Sequence, residues 1–268
     1  MPDVKPQALR TGDCTRIFLF GPPGSQKTRT IGTGTKTLIL RPPADHTDSI
    51  DAGADVQEIV IGDWSRKVEV FEWGQQGGFE KFDWVWLDGV TIFEEFGLDD
   101  VFADAVARKP SREEFGADKG EYGINRGRLS TWIRDMVALS KAGKFSFGMT
   151  ALSMAYWDPK KEEDLLIPQV GDLQGKFSLK MCGYFNMVAY LEEVKRKNRK
   201  DQIRLAVDGP GIYGKDQYNC FPELSSGHHG MLNPTIPKIE EAIAEAKKGK
   251  PSGSQRKRPA RRRRKRTT

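Results

Sequence analysis

An α/β fold with a mostly parallel central sheet flanked by helices is what this sequence predicts, and three observations carry the prediction. Short apolar runs alternate with helix-period segments along the chain, the pattern of strands joined by helical crossovers. One run, Trp84-Val85-Trp86-Leu87, leaves neither face polar, as a strand covered on both sides requires. The loop Gly21-Pro22-Pro23-Gly24-Ser25-Gln26-Lys27-Thr28 follows the apolar run Ile17-Phe18-Leu19-Phe20 directly. A buried strand that enters a glycine-containing loop ending in Lys-Thr is the context in which a chain cradles phosphate.

The elements follow in order. The first strand covers 16–20; Thr37-Leu38-Ile39-Leu40 is the second, stopped by Pro42-Pro43. Val56 to Ile61 is a third, with a helix from about Ser65, and Phe82 to Asp88 is the central buried strand before a helix over Ile92 to Ala107. Arg108 to Gly123, charged and rich in glycine, reads as an exposed loop. Leu129, Trp132, Ile133, Met136, Val137 and Ser140 then recur at helical spacing up to Gly143. Phe145 to Thr150 is the next core strand, and Leu152 to Asp172 reads as a long polar loop. Asn186 to Glu193 and Gln202 to Val207 form a C-terminal β-hairpin around a basic tip, 195–200. A last helix, 238–248, has Pro237 at its start, Glu240 and Glu241 in its first turn, Lys247 and Lys248 in its last, and Gly249 beyond. The domain reading is an extension at 1–13, one nucleotide-binding domain at 14–248 and a basic tail at 249–268. The tail has no apolar residue larger than Ala260, which predicts disorder.

The formal net charge of +6 conceals a division. Residues 247–268 hold twelve Lys and Arg and no acid, which leaves 31 basic against 37 acidic residues elsewhere: +12 for the tail and −6 for the body. An acidic body with a basic arm predicts contact with a polyanion through the arm. No apolar run reaches the roughly 18 residues of a membrane span. Met1-Pro2-Asp3-Val4-Lys5 lacks the build of a secretory signal, so the expected compartment is the cytoplasm. Cys14, Cys182 and Cys220 are scattered, which points away from disulfides and zinc, and the three histidines form no metal set.

The chemistry concentrates at a few positions. In the loop, backbone from Gly21 to Arg29 faces phosphate, Lys27 reaches the β/γ-phosphates and the Thr28 hydroxyl meets Mg²⁺, so ATP and Mg²⁺ are the expected cofactors. Gln26 stands where glycine is usual and restricts φ, which predicts slow turnover. Asp88 ends the central strand as the second Mg²⁺ candidate, although aspartates also commonly cap the loop after a strand; Thr91 follows it in support. Thr150, at the end of its strand, either senses the γ-phosphate or simply completes the strand. Three segments suit nucleic acid. Tyr156 and Trp157 lie beside Lys160 and Lys161, rings next to cations as single strands prefer. The hairpin tip carries Lys195, Arg196 and Lys197, and the tail carries Arg261, Arg262, Arg263 and Arg264, where phosphate neutralisation needs no base readout.

With those residues in place, the chain resembles the RecA-like phage P-loop ATPases of the single-strand-annealing recombination group, AAA-type phage nucleotide-binding proteins, over about residues 14–246. Beyond the loop and Trp84-Val85-Trp86-Leu87-Asp88, the resemblance rests on Leu40-Arg41-Pro42-Pro43 with Asp45-His46-Thr47-Asp48, and on Gly120-Glu121-Tyr122-Gly123. It also rests on the run Cys182 to Leu191, on Lys215-Asp216-Gln217 and on Asn233-Pro234-Thr235. The resemblance implies a RecA-like domain that binds ATP, Mg²⁺ and single-stranded DNA, assembles as a ring or filament, and acts in phage recombination in a bacterial host's cytoplasm. A single-strand-binding protein or helicase is a further implied partner. It implies Asp45 as the water-positioning carboxylate and Lys215 as a cation reaching a neighbour's γ-phosphate; Glu94 and Glu95, after the central strand, stand where other ATPases carry that carboxylate. Gln26 departs from the family pattern, as does Leu152, where relatives often have histidine. Two other functions remain open: a helicase loader in phage replication, and an ATP-gated DNA-binding protein with little hydrolysis.

Overall fold

The computed structural model describes residues 14–43, 47–158, 162–170, 176–196 and 201–249. The extension 1–13 and the segment from 250 onward lie outside the described residues, and with them the expectation of a disordered tail. The elements are β1 (Arg16–Phe20), α1 (Lys27–Ile31), β2 (Thr37–Arg41), β3 (Val56–Val60), α2 (Trp64–Trp73), β4 (Trp84–Leu87), α3 (Val90–Arg108) and α4 (Lys119–Gly143). After them come β5 (Ser146–Ala151), β6 (Ser153–Asp158), β7 (Glu163–Pro168), α5 (Lys176–Cys182), β8 (Met187–Val194), β9 (Gln202–Asp208), β10 (Lys215–Asp216), β11 (His229–Leu232) and α6 (Ile236–Gly249).

Nine strands form one mixed sheet in the order β11-β9-β8-β1-β5-β4-β2-β3, with β10 beside β8. The run from β8 to β3 is parallel throughout, and β9, β10 and β11 join antiparallel. The fold is therefore α/β and mostly parallel, as expected, with β8 and β9 forming the expected C-terminal hairpin.

Strand alternation divides the core in two. Phe18, Phe20, Leu38, Leu40, Val85 and Leu87 face the helices between β3 and β8, where Leu129, Trp132, Ile133 and Met136 of α4 meet them. Ile17, Leu19, Ile39, Trp84 and Trp86 face the other way, toward Ile31 of α1 and Ile236, Ile239 and Ile243 of α6. Each such side chain, fully buried, contributes about 1.5–3 kcal/mol of transfer free energy. Trp84 and Trp86 stack with centroids 5.1 Å apart. Gly148 of β5 makes room for them, since a Cβ there would lie 2.1 Å from the Trp86 ring.

Two expected loops are regular structure. The segment read as a polar loop at 152–172 contains the antiparallel pair β6–β7, with Tyr156 opposite Leu165 and Met154 opposite Ile167. Leu165 and Ile167 are buried, so one face of this hairpin is core. Within 108–123 a 3₁₀ turn covers Pro110–Phe115, and α4 begins at Lys119. Asp118 caps α4 by accepting from Gly120 and Glu121 N–H, while the Glu121 carboxylate accepts from the Asp118 N–H at 2.6 Å.

Candidate functional site

The parallel strands all end at one edge of the sheet, and the register decides which residues meet there. Phe20 pairs with Ala151, and Leu87 with Met149. Because β5 lies between β1 and β4, Thr150 comes to stand between the loop after β1 and the aspartate after β4. The loop is tied down at its start by Gly21 N–H donating to the Ala151 carbonyl at 3.3 Å. Only glycine fits there: a Cβ on Gly21 would lie 2.1 Å from the Leu191 carbonyl oxygen of β8. Gly24 turns the loop at φ +78°, and Gln26 enters α1 in the left-handed region at φ 59°, ψ 32°.

The side chains then converge. The Lys27 ammonium donates to the carbonyls of Gly21 and Pro22, each at 3.0 Å, and to Ser25 Oγ at 3.2 Å. Thr28 Oγ1 donates to Asp88 Oδ2 at 2.8 Å. Thr150 Oγ1 donates to Asp88 Oδ1 and accepts from Gly89 N–H at 2.8 Å. Asp88 is 1% exposed, so two hydroxyls hold a carboxylate that water scarcely reaches. Leaving such a group without them would cost several times what each bond contributes. Arg29 lies on the exposed side of α1, 3.6 Å from Asp51, while Pro22 is half-buried and Pro23 exposed.

Among the described residues no group of three or more His, Cys, Asp or Glu is placed to hold a metal ion by itself. That does not count against Mg²⁺, which keeps several waters and takes one or two protein oxygens plus phosphate oxygens. A buried carboxylate in contact with a threonine hydroxyl beside a lysine-bearing loop fits that donor set.

The other expected residues divide by position. Glu94 is half-buried and Glu95 exposed on α3, beyond the Asp88 turn. Asp45, Lys160, Lys161, Lys197 and Arg261 to Arg264 lie outside the described residues. Tyr156 and Trp157 sit on opposite faces of β6: Trp157 is 55% exposed, whereas Tyr156 shares the face of buried Leu165. Lys195 and Arg196 extend β8 past the loop edge, where Arg196 N–H donates to Asp201 at 3.1 Å. Lys215 is not brought to this chain's own loop. It pairs with Val188 at the start of β8, and its ammonium donates to the Phe185 carbonyl at 2.8 Å, toward the opposite edge of the sheet.

Thr91 also fastens a neighbouring element. Its hydroxyl donates to the Gln169 carbonyl at 2.8 Å and accepts from Leu152 N–H at 3.1 Å. Gln169 N–H in turn donates to the Leu152 carbonyl at 2.7 Å. Leu152 and Gln169 are the two feet of the β6–β7 hairpin, so this one hydroxyl fastens the hairpin to the turn that follows Asp88. The Leu191 and Gln169 carbonyls escape sequence reading because any residue type supplies a carbonyl.

No helix among the described residues is long and apolar enough to cross a membrane. No protein-family model matches this chain, and no curated protein matches it.

Proposed function

We propose that this chain binds ATP with Mg²⁺ as a RecA-like P-loop protein and uses the nucleotide to organise single-stranded DNA in recombination or annealing. The observation that carries the reading is the Thr28–Asp88 hydrogen bond of 2.8 Å at the lysine-bearing loop. Thr28 and Asp88 would hold the metal, and Thr150 holds the other carboxylate oxygen in place. Lys27 would exchange its carbonyl and hydroxyl contacts for phosphate oxygens, which form charge-assisted and stronger bonds. Mg²⁺, when bound, neutralises charge on the phosphates. Asp45 as the water-positioning group and assembly into a ring or filament belong to the same proposal. So does DNA contact through Trp157, Lys195, Arg196 and the basic tail.

A second reading, an ATP-gated binder with little hydrolysis, is favoured by Gln26. A side chain stands in a left-handed backbone position at the loop's end. Titration with a fluorescent ATP analogue and Mg²⁺ tests the shared part of both readings. Lys27→Ala and Asp88→Asn are expected to weaken binding tenfold or more, and wild-type affinity in both would overturn the proposal.

A further inference from the structure

The edge of the sheet opposite the phosphate loop gathers cations. Arg16 opens β1, and Lys215 forms the short β10 against the start of β8. α6 crosses the same edge. Its first residue, Ile236, donates its N–H to Thr33 Oγ1 at 2.8 Å, and Glu240 accepts from Trp84 Nε1 at 2.7 Å. Near its end the Lys247 ammonium stands 5.6 Å from the centre of the Tyr218 ring. Arg16 lies close enough to act on both neighbours. Burial lowers the Lys215 amine below its ordinary value, and Arg16 lowers it further. Burial raises the Tyr218 phenol, and Arg16 partly opposes that.

Among the described residues none of these three cations forms an ion pair. Lys215 has a neutral carbonyl for a partner, and the buried Arg16 Nε has no hydrogen-bond partner. Asp216 follows Lys215 directly in sequence. It spends its carboxylate on the N–H groups of Tyr218 at 2.8 Å and Cys220 at 2.7 Å. The body carries −6 overall, so a polyanion is repelled from most of it. Three residues past Lys247 begins the segment 250–268, which holds ten Lys and Arg and no acid.

We infer, resting on the single-stranded DNA reading above, that Arg16, Lys215 and Lys247 form a contact surface for the phosphate backbone of a single strand. The surface recognises phosphate charge, with Tyr218 packed beneath Lys247 as its support; it carries no means of reading base edges.

Anisotropy of a labelled oligo-dT across a salt series tests the surface on the full-length chain. Three phosphate contacts to a single strand correspond to about 2 in the slope of log affinity against log salt. Arg16→Gln/Lys215→Gln/Lys247→Gln is therefore expected to flatten the slope by about 2 and weaken binding at least tenfold at low salt. An unaltered slope and affinity in the triple variant overturn the inference. Lys247→Glu alone, at an exposed site, repeats the test should the triple variant not fold; it is expected to lower both quantities, and wild-type binding there overturns the inference equally. The ATP analogue, titrated into the same preparations, keeps the two readings apart. ATP binding with DNA binding unaffected by the substitutions removes the edge surface alone, and the converse removes the nucleotide reading alone.

Discussion

Gln26 occupies a backbone conformation, φ 59° and ψ 32°, in which an L side chain crowds the following carbonyl at a cost of about 1–2 kcal/mol. Gln26→Gly removes that strain but returns about 0.4–1 kcal/mol through the greater freedom of the unfolded chain. The variant is expected to be more stable by about 0.5–1 kcal/mol in urea denaturation and, on the proposed nucleotide reading, to hydrolyse ATP faster than the wild type. Equal stability would show that the loop relaxes around glutamine without strain. The side chains that converge at the loop stand out in the sequence because their signal is local: Lys27 and Thr28 belong to one short loop, and Asp88 and Thr150 each end a strand visible as an apolar run. What places them together is not local. The interposition of β5 between β1 and β4 sets Thr150 against Asp88, and no spacing in the chain specifies it.

At the scale of elements, the β6–β7 hairpin is held where it leaves the sheet by the Thr91 hydroxyl, through bonds of 2.8 Å to Gln169 and 3.1 Å from Leu152. Thr91 is 3% exposed, so Thr91→Val leaves a part-buried carbonyl and a part-buried N–H without that partner, a loss of about 1 kcal/mol or more. Hydrogen exchange is expected to accelerate across 153–168 in Thr91→Val and to return toward the wild-type rate in Thr91→Ser. Unchanged exchange in the valine variant would mean that packing of Leu165 and Ile167 alone holds the hairpin. The sequence hid this hairpin because its apolar face comes from two short runs separated by the charged stretch 160–164, too little alternation for a strand signal. The start of α4 was hidden differently. Gly120, Gly123 and Gly127 depress helix propensity over its first turns, while the capping pair Asp118 and Glu121 and the packing of Leu129 and Trp132 override that deficit.

Across the whole molecule, stability should carry the mark of Lys67. This lysine of α2 is 9% exposed, with its ammonium 3.4 Å from the centre of the Trp64 ring and 5.4 Å from that of Trp132 on α4. Burial, reinforced by Arg128 and opposed by Asp135, lowers its amine from 10.5 to about 8. Between those two values the unfolded chain binds the proton that the folded chain has released, so this group makes stability rise with pH through that window. Well below pH 8 the buried charge is present in full and its penalty is constant. The raised phenols of Tyr190, Tyr213 and Tyr218 act in the opposite direction, because the folded state holds those protons longer, as it does that of Cys182, pushed up to about 12. The comparison that isolates Lys67 is therefore wild type against Lys67→Met at each pH. Methionine keeps the length, loses the charge, and forgoes a cation–π attraction of about 0.5–2 kcal/mol. Lys67→Met is expected to be the more stable protein at pH 7, by about 1–2 kcal/mol, with the advantage shrinking as pH approaches 10. Urea denaturation of both proteins at pH 7, 8.5 and 10 reads this directly. Parallel stability profiles would mean that the Trp64 and Trp132 rings compensate the ammonium fully, and that the contact between α2 and α4 is indifferent to its charge.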